Sequence, residues 1–147
     1  MHLLNVHNRT LEDFVGSIPS YAILSHTWGK NEITYQDIRN PASVAYKAGW
    51  TKINGACSLA GEDGYDHIWI DTCCIDKTSS AEISEAINSM FNWYKDAAMC
   101  YAYLSDVSSD TVFKDTGVWG FWDSPKKRLN FTTKIGTISD QRIPMEK

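Results

Sequence analysis

The chain has 147 residues, 43% apolar and 22% charged, with a formal net charge of −4, the size and make-up of one soluble globular domain able to bury a core without metals or disulfides. No basic run appears before Lys126-Lys127-Arg128, which argues against nucleic-acid binding, since that calls for a basic stripe. Met1 to Arg9 lacks the apolar stretch of a signal peptide, and no run approaches the roughly 18 apolar residues of a membrane span.

Residues 1–20 form a mixed N-terminal segment that closes in the loop signal Ser17-Ile18-Pro19-Ser20. Tyr21-Ala22-Ile23-Leu24-Ser25 is a short apolar run and reads as a buried strand. His26 to Asn31 breaks it, and Glu32-Ile33-Thr34-Tyr35 alternates like a short edge strand. Trp50, Ile53, Ala56, Cys57 and Ala60 recur at helical spacing, and Gly61 to Gly64 ends that helix. His67-Ile68-Trp69-Ile70-Asp71 is the next strand, followed by a loop from Cys73 to Ser79. Ile83, Ala86, Ile87, Met90, Tyr94 and Ala97 mark a second helix over 80–98, and Cys100 to Leu104 is a third strand. Apolar strands alternating with amphipathic helices predict an α/β fold, a small mainly parallel sheet with helices on both faces. After Asp106 the aromatics Phe113, Trp119, Phe121, Trp122 and Phe131 show no clear period, and no element is assigned there.

Four cysteines sit at Cys57, Cys73, Cys74 and Cys100. Three lie in or beside apolar runs, where a free thiol acts as a small hydrophobe. The adjacent pair Cys73-Cys74 does not have the spacing of a zinc site, so no metal is expected. Reduced thiols point to a cytoplasmic protein.

In an open parallel sheet, ligands bind beyond the carboxyl ends of the strands. One strand end delivers Ser25, His26, Thr27 and Trp28. A second delivers Asp71, Thr72 and the Cys73–Lys77 loop, followed by the helix that carries Glu82. A third delivers Ser105 and Asp106. Each has a plainer reading. Ser79-x-x-Glu82 fits a capping box. His26 is a lone histidine, a type more often structural than catalytic. Asp71 and Asp106 can bond loop amides. Trp28 and Trp69 can be core residues, and Cys74 has no base at a recognisable spacing.

Tyr21-Ala22-Ile23-Leu24-Ser25-His26-Thr27-Trp28-Gly29 resembles the opening motif of heterokaryon-incompatibility (HET) domains. Ile68-Trp69-Ile70-Asp71-Thr72-Cys73-Cys74-Ile75-Asp76-Lys77 resembles their central motif, continued by Ala81 to Met90 and completed by Trp93-Tyr94 through Cys100 to Val107. The likeness spans residues 21–107 as a core, with 108–147 a divergent remainder. The Arg-Gly-Trp-Thr-Leu-Gln-Glu-Leu block usual after the third strand is absent. Trp119-Gly120-Phe121-Trp122 is a faint echo of it, and Pro125–Phe131 and Lys134–Thr137 resemble the family's segments downstream of that block.

The resemblance implies a fungal effector of programmed cell death in non-self recognition, with a fold similar to TIR domains. Many TIR domains cleave NAD at the nicotinamide–ribose bond, using a glutamate near the start of a helix that follows a central strand. The matching position is Glu82, with Glu85 a less consistent acidic position one turn later. Ser25, His26, Trp28, Gly29, Asp71, Cys74 and Asp76 are the accompanying binding candidates: Trp28 to stack on a ring of the nucleotide, Ser25 and the Trp28-Gly29 turn to meet ribose or phosphate. NAD is then substrate rather than cofactor, since no dehydrogenase-type glycine fingerprint is present. The alternatives are a non-catalytic module acting by self-association, with a sensor or allorecognition partner, and a truncated inactive copy.

Overall fold

Leu3 and Leu4 are both fully buried, which neighbouring strand residues achieve only where both faces of a sheet are covered. They lie on β1 (His2–Asn5), which forms a hairpin with β2 (Leu11–Asp13). The computed structural model describes residues 1–44, 46–103 and 142–144. The sequence gives little sign of this hairpin. Its turn is held by side chains rather than by glycine: Asn5 Oδ1 accepts from the His7 and Asn8 amides, Asn8 Oδ1 accepts from Thr10, and Arg9 takes a left-handed φ of 61°.

The expected strands are present as β3 (Ala22–His26), β4 (His67–Ile70) and β5 (Met99–Tyr103). They pair in parallel, with Ile23 opposite both Trp69 and Cys100. β6 (Arg142–Pro144) adds antiparallel to β5. Among the described residues the sheet order is β2-β1-β4-β3-β5-β6. The α/β class therefore holds: a parallel centre carries antiparallel strands on either side. The edges escape the sequence reading because they come from short segments distant in the chain.

Four helices accompany the sheet among the described residues: α1 (Tyr35–Ile38), α2 (Pro41–Val44), α3 (Gly49–Glu62) and α4 (Ser80–Asp96). The proposed strand at Glu32–Tyr35 is corrected by α1. Thr34 accepts from the Asp37 amide and Asp37 accepts from the Thr34 amide, a reciprocal cap that opens a helix where alternation suggested a strand. α3 and α4 cover opposite faces. Tyr101 on β5 donates its hydroxyl to Asp63 at the end of α3, whereas Trp69, whose side chain points to the other face, packs against Trp93 and Tyr94 of α4. Trp69, Ile23 and Tyr101 are fully buried in the core between these layers. At about 2–3 kcal/mol for each large apolar side chain, this burial rather than helix propensity fixes both helices on the sheet.

Candidate functional site

Parallel pairing brings the β3 and β4 carboxyl ends side by side, since Leu24 pairs with Ile70. Ser25-His26 and Asp71 therefore emerge next to each other, as the sequence predicts. The His26 side chain is completely buried, with Nε2 3.6 Å from Asp71 Oδ1. Among the described residues neither ring nitrogen has a hydrogen-bond partner, nor does Asp71 Oδ1. Burial is the main influence on His26 and lowers its pKa, the nearby Lys52 charge adds to this, and Asp71 opposes it. The imidazole is thus held neutral at pH 7. Asp71 Oδ2 accepts from the Trp28 indole at 2.8 Å. Trp28 is 61% exposed, and Lys77 Nζ lies 3.5 Å from its ring centroid, so one ring face carries a cation. Ser25 is half-buried at the end of β3.

Beside Trp28 lies a cavity of about 180 Å³, lined by the Thr27–Lys30 loop, Glu32, the start of α3 and Tyr103. Lys52, only 8% exposed, pairs there with Glu32 Oε1 at 2.6 Å and lies 5.4 Å from the Tyr103 ring centroid. Burial pushes Glu32 upward, but the hydrogen bonds from Lys52 and the Gly29 amide outweigh it and leave its carboxyl below the ordinary value. The Gly29 amide is committed to Glu32 at 2.7 Å, so in this structure it is not open to a phosphate.

Glu82 occupies the first turn of α4, where Ser79 Oγ accepts from its amide at 3.3 Å. Half of the expected capping box is therefore present. The Glu82 carboxylate takes another course: Oε2 accepts from the Asp76 amide at 3.0 Å and meets His2 Nε2 at 3.2 Å. It is 33% exposed and is not among the residues that line the cavity beside Trp28. Asp76 Oδ1 is occupied by Thr78 and by Gln36 of α1, which pins the loop before α4.

Cys74 is buried in the core, its sulfur accepting from the Ile70 amide at 3.3 Å, so the thiol does not open onto the rim. Ser105 and Asp106 lie outside the described residues. The rim thus consists of two adjoining groups: His26, Asp71, Trp28 and Lys77 at the strand ends, and Glu82 with His2 and the Asp76 loop. Spacing in the sequence does not single out Glu32, Lys52, Tyr103 or His2. Glu32 and Lys52 are twenty residues apart and carry no periodic signal, and His2 lies in the N-terminal segment to which the sequence assigns no element. Among the described residues no group of three or more His, Cys, Asp or Glu is arranged to hold a metal ion, and no helix is long and apolar enough to cross a membrane.

An α/β sheet whose parallel strand ends carry a buried His–Asp pair, an exposed tryptophan and a helix-start glutamate is the class of domain described here. Residues 21–142 match the model of the family described as "Heterokaryon incompatibility protein (HET)", and the chain belongs to that family. It is 55% identical over 131 residues to "Vegetative incompatibility protein HET-E-1" of Podospora anserina, covering 88% of this chain and 9% of that protein. The chain thus spans under a tenth of that relative's length. No solved structure matches it.

Proposed function

We propose that this domain is a cell-death effector in heterokaryon incompatibility and that it acts by cleaving NAD to nicotinamide and ADP-ribose. The observation that carries this reading is Glu82: a partly exposed carboxylate on the first turn of the helix after a central parallel strand, at the sheet end that also presents Ser25, His26, Trp28 and Asp71. Family membership supports the incompatibility role.

The chemistry suits a single carboxylate. The bond between ribose C1′ and the pyridinium nitrogen breaks, and its electron pair stays on nitrogen, which neutralises the leaving group without an acid. The ribose becomes oxocarbenium-like, and a nearby carboxylate stabilises that developing charge. Water then bonds to C1′ and gives up a proton. Trp28, held by Asp71, offers its ring for stacking on a base, and Ser25, at the end of β3, is the candidate to meet a hydroxyl. Neutral His26 packs beside Asp71 without bonding it, and with both nitrogens sealed from solvent it is not placed to move a proton.

The test is nicotinamide release from NAD by the wild-type domain at high concentration, alone and fused to an oligomeriser, against Glu82→Ala. Release that disappears in the variant while the fold survives supports the reading. A wild type as inert as the variant under both conditions refutes it.

A second reading is a non-catalytic module that works by self-association, with recognition supplied by another domain or partner. Ile87 and Phe91 favour it: these α4 side chains, one turn apart, are 70% and 57% exposed and together make an apolar patch on that helix. A chain that stays monomeric across a concentration series by light scattering excludes assembly through that face.

A further inference from the structure

Residues 1–20 precede the part of the chain that the family model matches, yet they reach the proposed catalytic glutamate. β1 runs antiparallel to β4 with Leu4 opposite Ile68. Two residues further along, His2 falls beside Ile70, at the carboxyl end of the parallel strands. Its Nδ1 pairs with Oδ1 of Asp13, its cross-strand neighbour on β2. Its Nε2 meets Glu82 Oε2 at 3.2 Å, and its ring packs against Tyr35 with centroids 5.1 Å apart. The Asp76 amide donates to the same Glu82 oxygen at 3.0 Å. Both contacts converge on Oε2, and among the described residues Oε1 accepts no hydrogen bond.

We propose that His2, braced by Asp13, is a positioning residue that turns the Glu82 carboxylate so that Oε1 faces the bound ribose. The inference rests on the NAD-cleaving reading above. A glutamate side chain has three rotatable bonds, and from the first turn of a helix it can swing widely. Two donors on one oxygen fix the carboxylate plane and leave the second oxygen free for a ligand. Imidazole suits the task because its two nitrogens point in divergent directions and, when both carry protons, donate to a carboxylate on either side. The hairpin supplies the brace from a rigid sheet rather than a loop, which is how a reacting group is held to a fraction of an ångström.

The experiment compares wild type, His2→Ala, His2→Gln and Asp13→Asn in nicotinamide release, with Glu82→Ala as the inactive reference and melting temperature measured for each. His2→Ala is expected to lower kcat by about tenfold with KM little changed, the cost of a misplaced group. His2→Gln, whose amide can still donate to Oε2, recovers most of the loss, and Asp13→Asn loses less than His2→Ala. A purely structural tie would lower melting temperature and leave kcat per folded molecule unchanged. A His2→Ala protein with wild-type kcat, beside an inactive Glu82→Ala, overturns this inference alone. An inert wild type overturns the NAD reading and the positioning role with it. A readout without NAD tests the clamp itself: in His2→Ala the Asp76 amide should exchange its hydrogen about tenfold faster while Ile68–Ile70 stay unchanged. Unaltered Asp76 exchange overturns the clamp.

Discussion

Replacing Gly49 by alanine tests how tightly the cavity wall is built. A Cβ at Gly49 would lie 2.8 Å from the Asn31 carbonyl oxygen and 3.2 Å from both Glu32 Cα and Ile33 N. All three are backbone atoms, so no side chain can rotate away. Gly49 opens α3, and its amide donates to Asn31 O at 3.3 Å, so the collision falls on the contact that joins the helix to the Asn31–Ile33 turn. Alanine gains helix propensity worth at most about 1 kcal/mol, and less at a first position. Overpacking against immobile atoms costs about 1–3 kcal/mol. The clash wins, for a net loss of about 1–2 kcal/mol. Gly61 is the internal control: it lies in the same helix, and its added Cβ would sit 3.7 Å from Val6 Cγ2, an ordinary contact. Gly61→Ala should therefore gain up to about 1 kcal/mol. In urea denaturation the two midpoints should move in opposite directions, Gly49→Ala falling by about 0.5–1 M for an ordinary slope. A Gly49→Ala midpoint at or above wild type refutes the packing argument.

Three further outcomes are expected. Burial raises Asp37, but hydrogen bonds from Lys47 and Thr34 outweigh it and hold its pKa at about 2, below the ordinary 3.8. A folded-state pKa below the unfolded one gives stability that is complete above the unfolded value and lost as pH falls through the folded one. Between about pH 4 and 2 the wild type should therefore lose about 1–2 kcal/mol that Asp37→Asn, already less stable at pH 7, does not lose again, as measured by urea midpoints across that range. Lys52→Met leaves Glu32 buried without its cation and should cost about 3–5 kcal/mol, while Lys52→Met with Glu32→Leu recovers much of that loss. A Lys52→Met protein within about 1 kcal/mol of wild type contradicts the buried pair. Finally, burial pushes the Cys57 thiol up to about 12, and Cys73, beside the Cys74 thiol and fully enclosed, is raised as well. Since the thiolate is the reactive species, mass spectrometry after iodoacetamide should find Cys57 and Cys73 unlabelled in the native protein and labelled in urea.

The central fold could be read from the chain because apolar runs and helical spacing are local signals. β3, β4, β5, α3 and α4 each fall within a residue or two of their expected positions. The hairpin of β1 and β2 could not, because its turn depends on Asn5 and Asn8 side chains and its strands are short. Glu32–Tyr35 misled because a four-residue alternation fits both a strand and the first turn of a capped helix, and Thr34 with Asp37 decides for the helix. At the rim, the meeting of His26 with Asp71 comes from parallel pairing alone. The Trp28–Asp71 bond, the Lys52–Glu32 pair and the His2 contact with Glu82 depend on side chains far apart in sequence, for which a single sequence carries no pattern.

The most direct test of the NAD site is to titrate NAD into the isotopically labelled domain and monitor its backbone amides by NMR. Binding at the rim predicts saturable shifts concentrated in Ser25–Gly29, Asp71–Lys77 and the first turn of α4, with little change in the turn before β2 or at the far end of α4. Shifts confined to the opposite end of the sheet, or none at millimolar NAD, would contradict it.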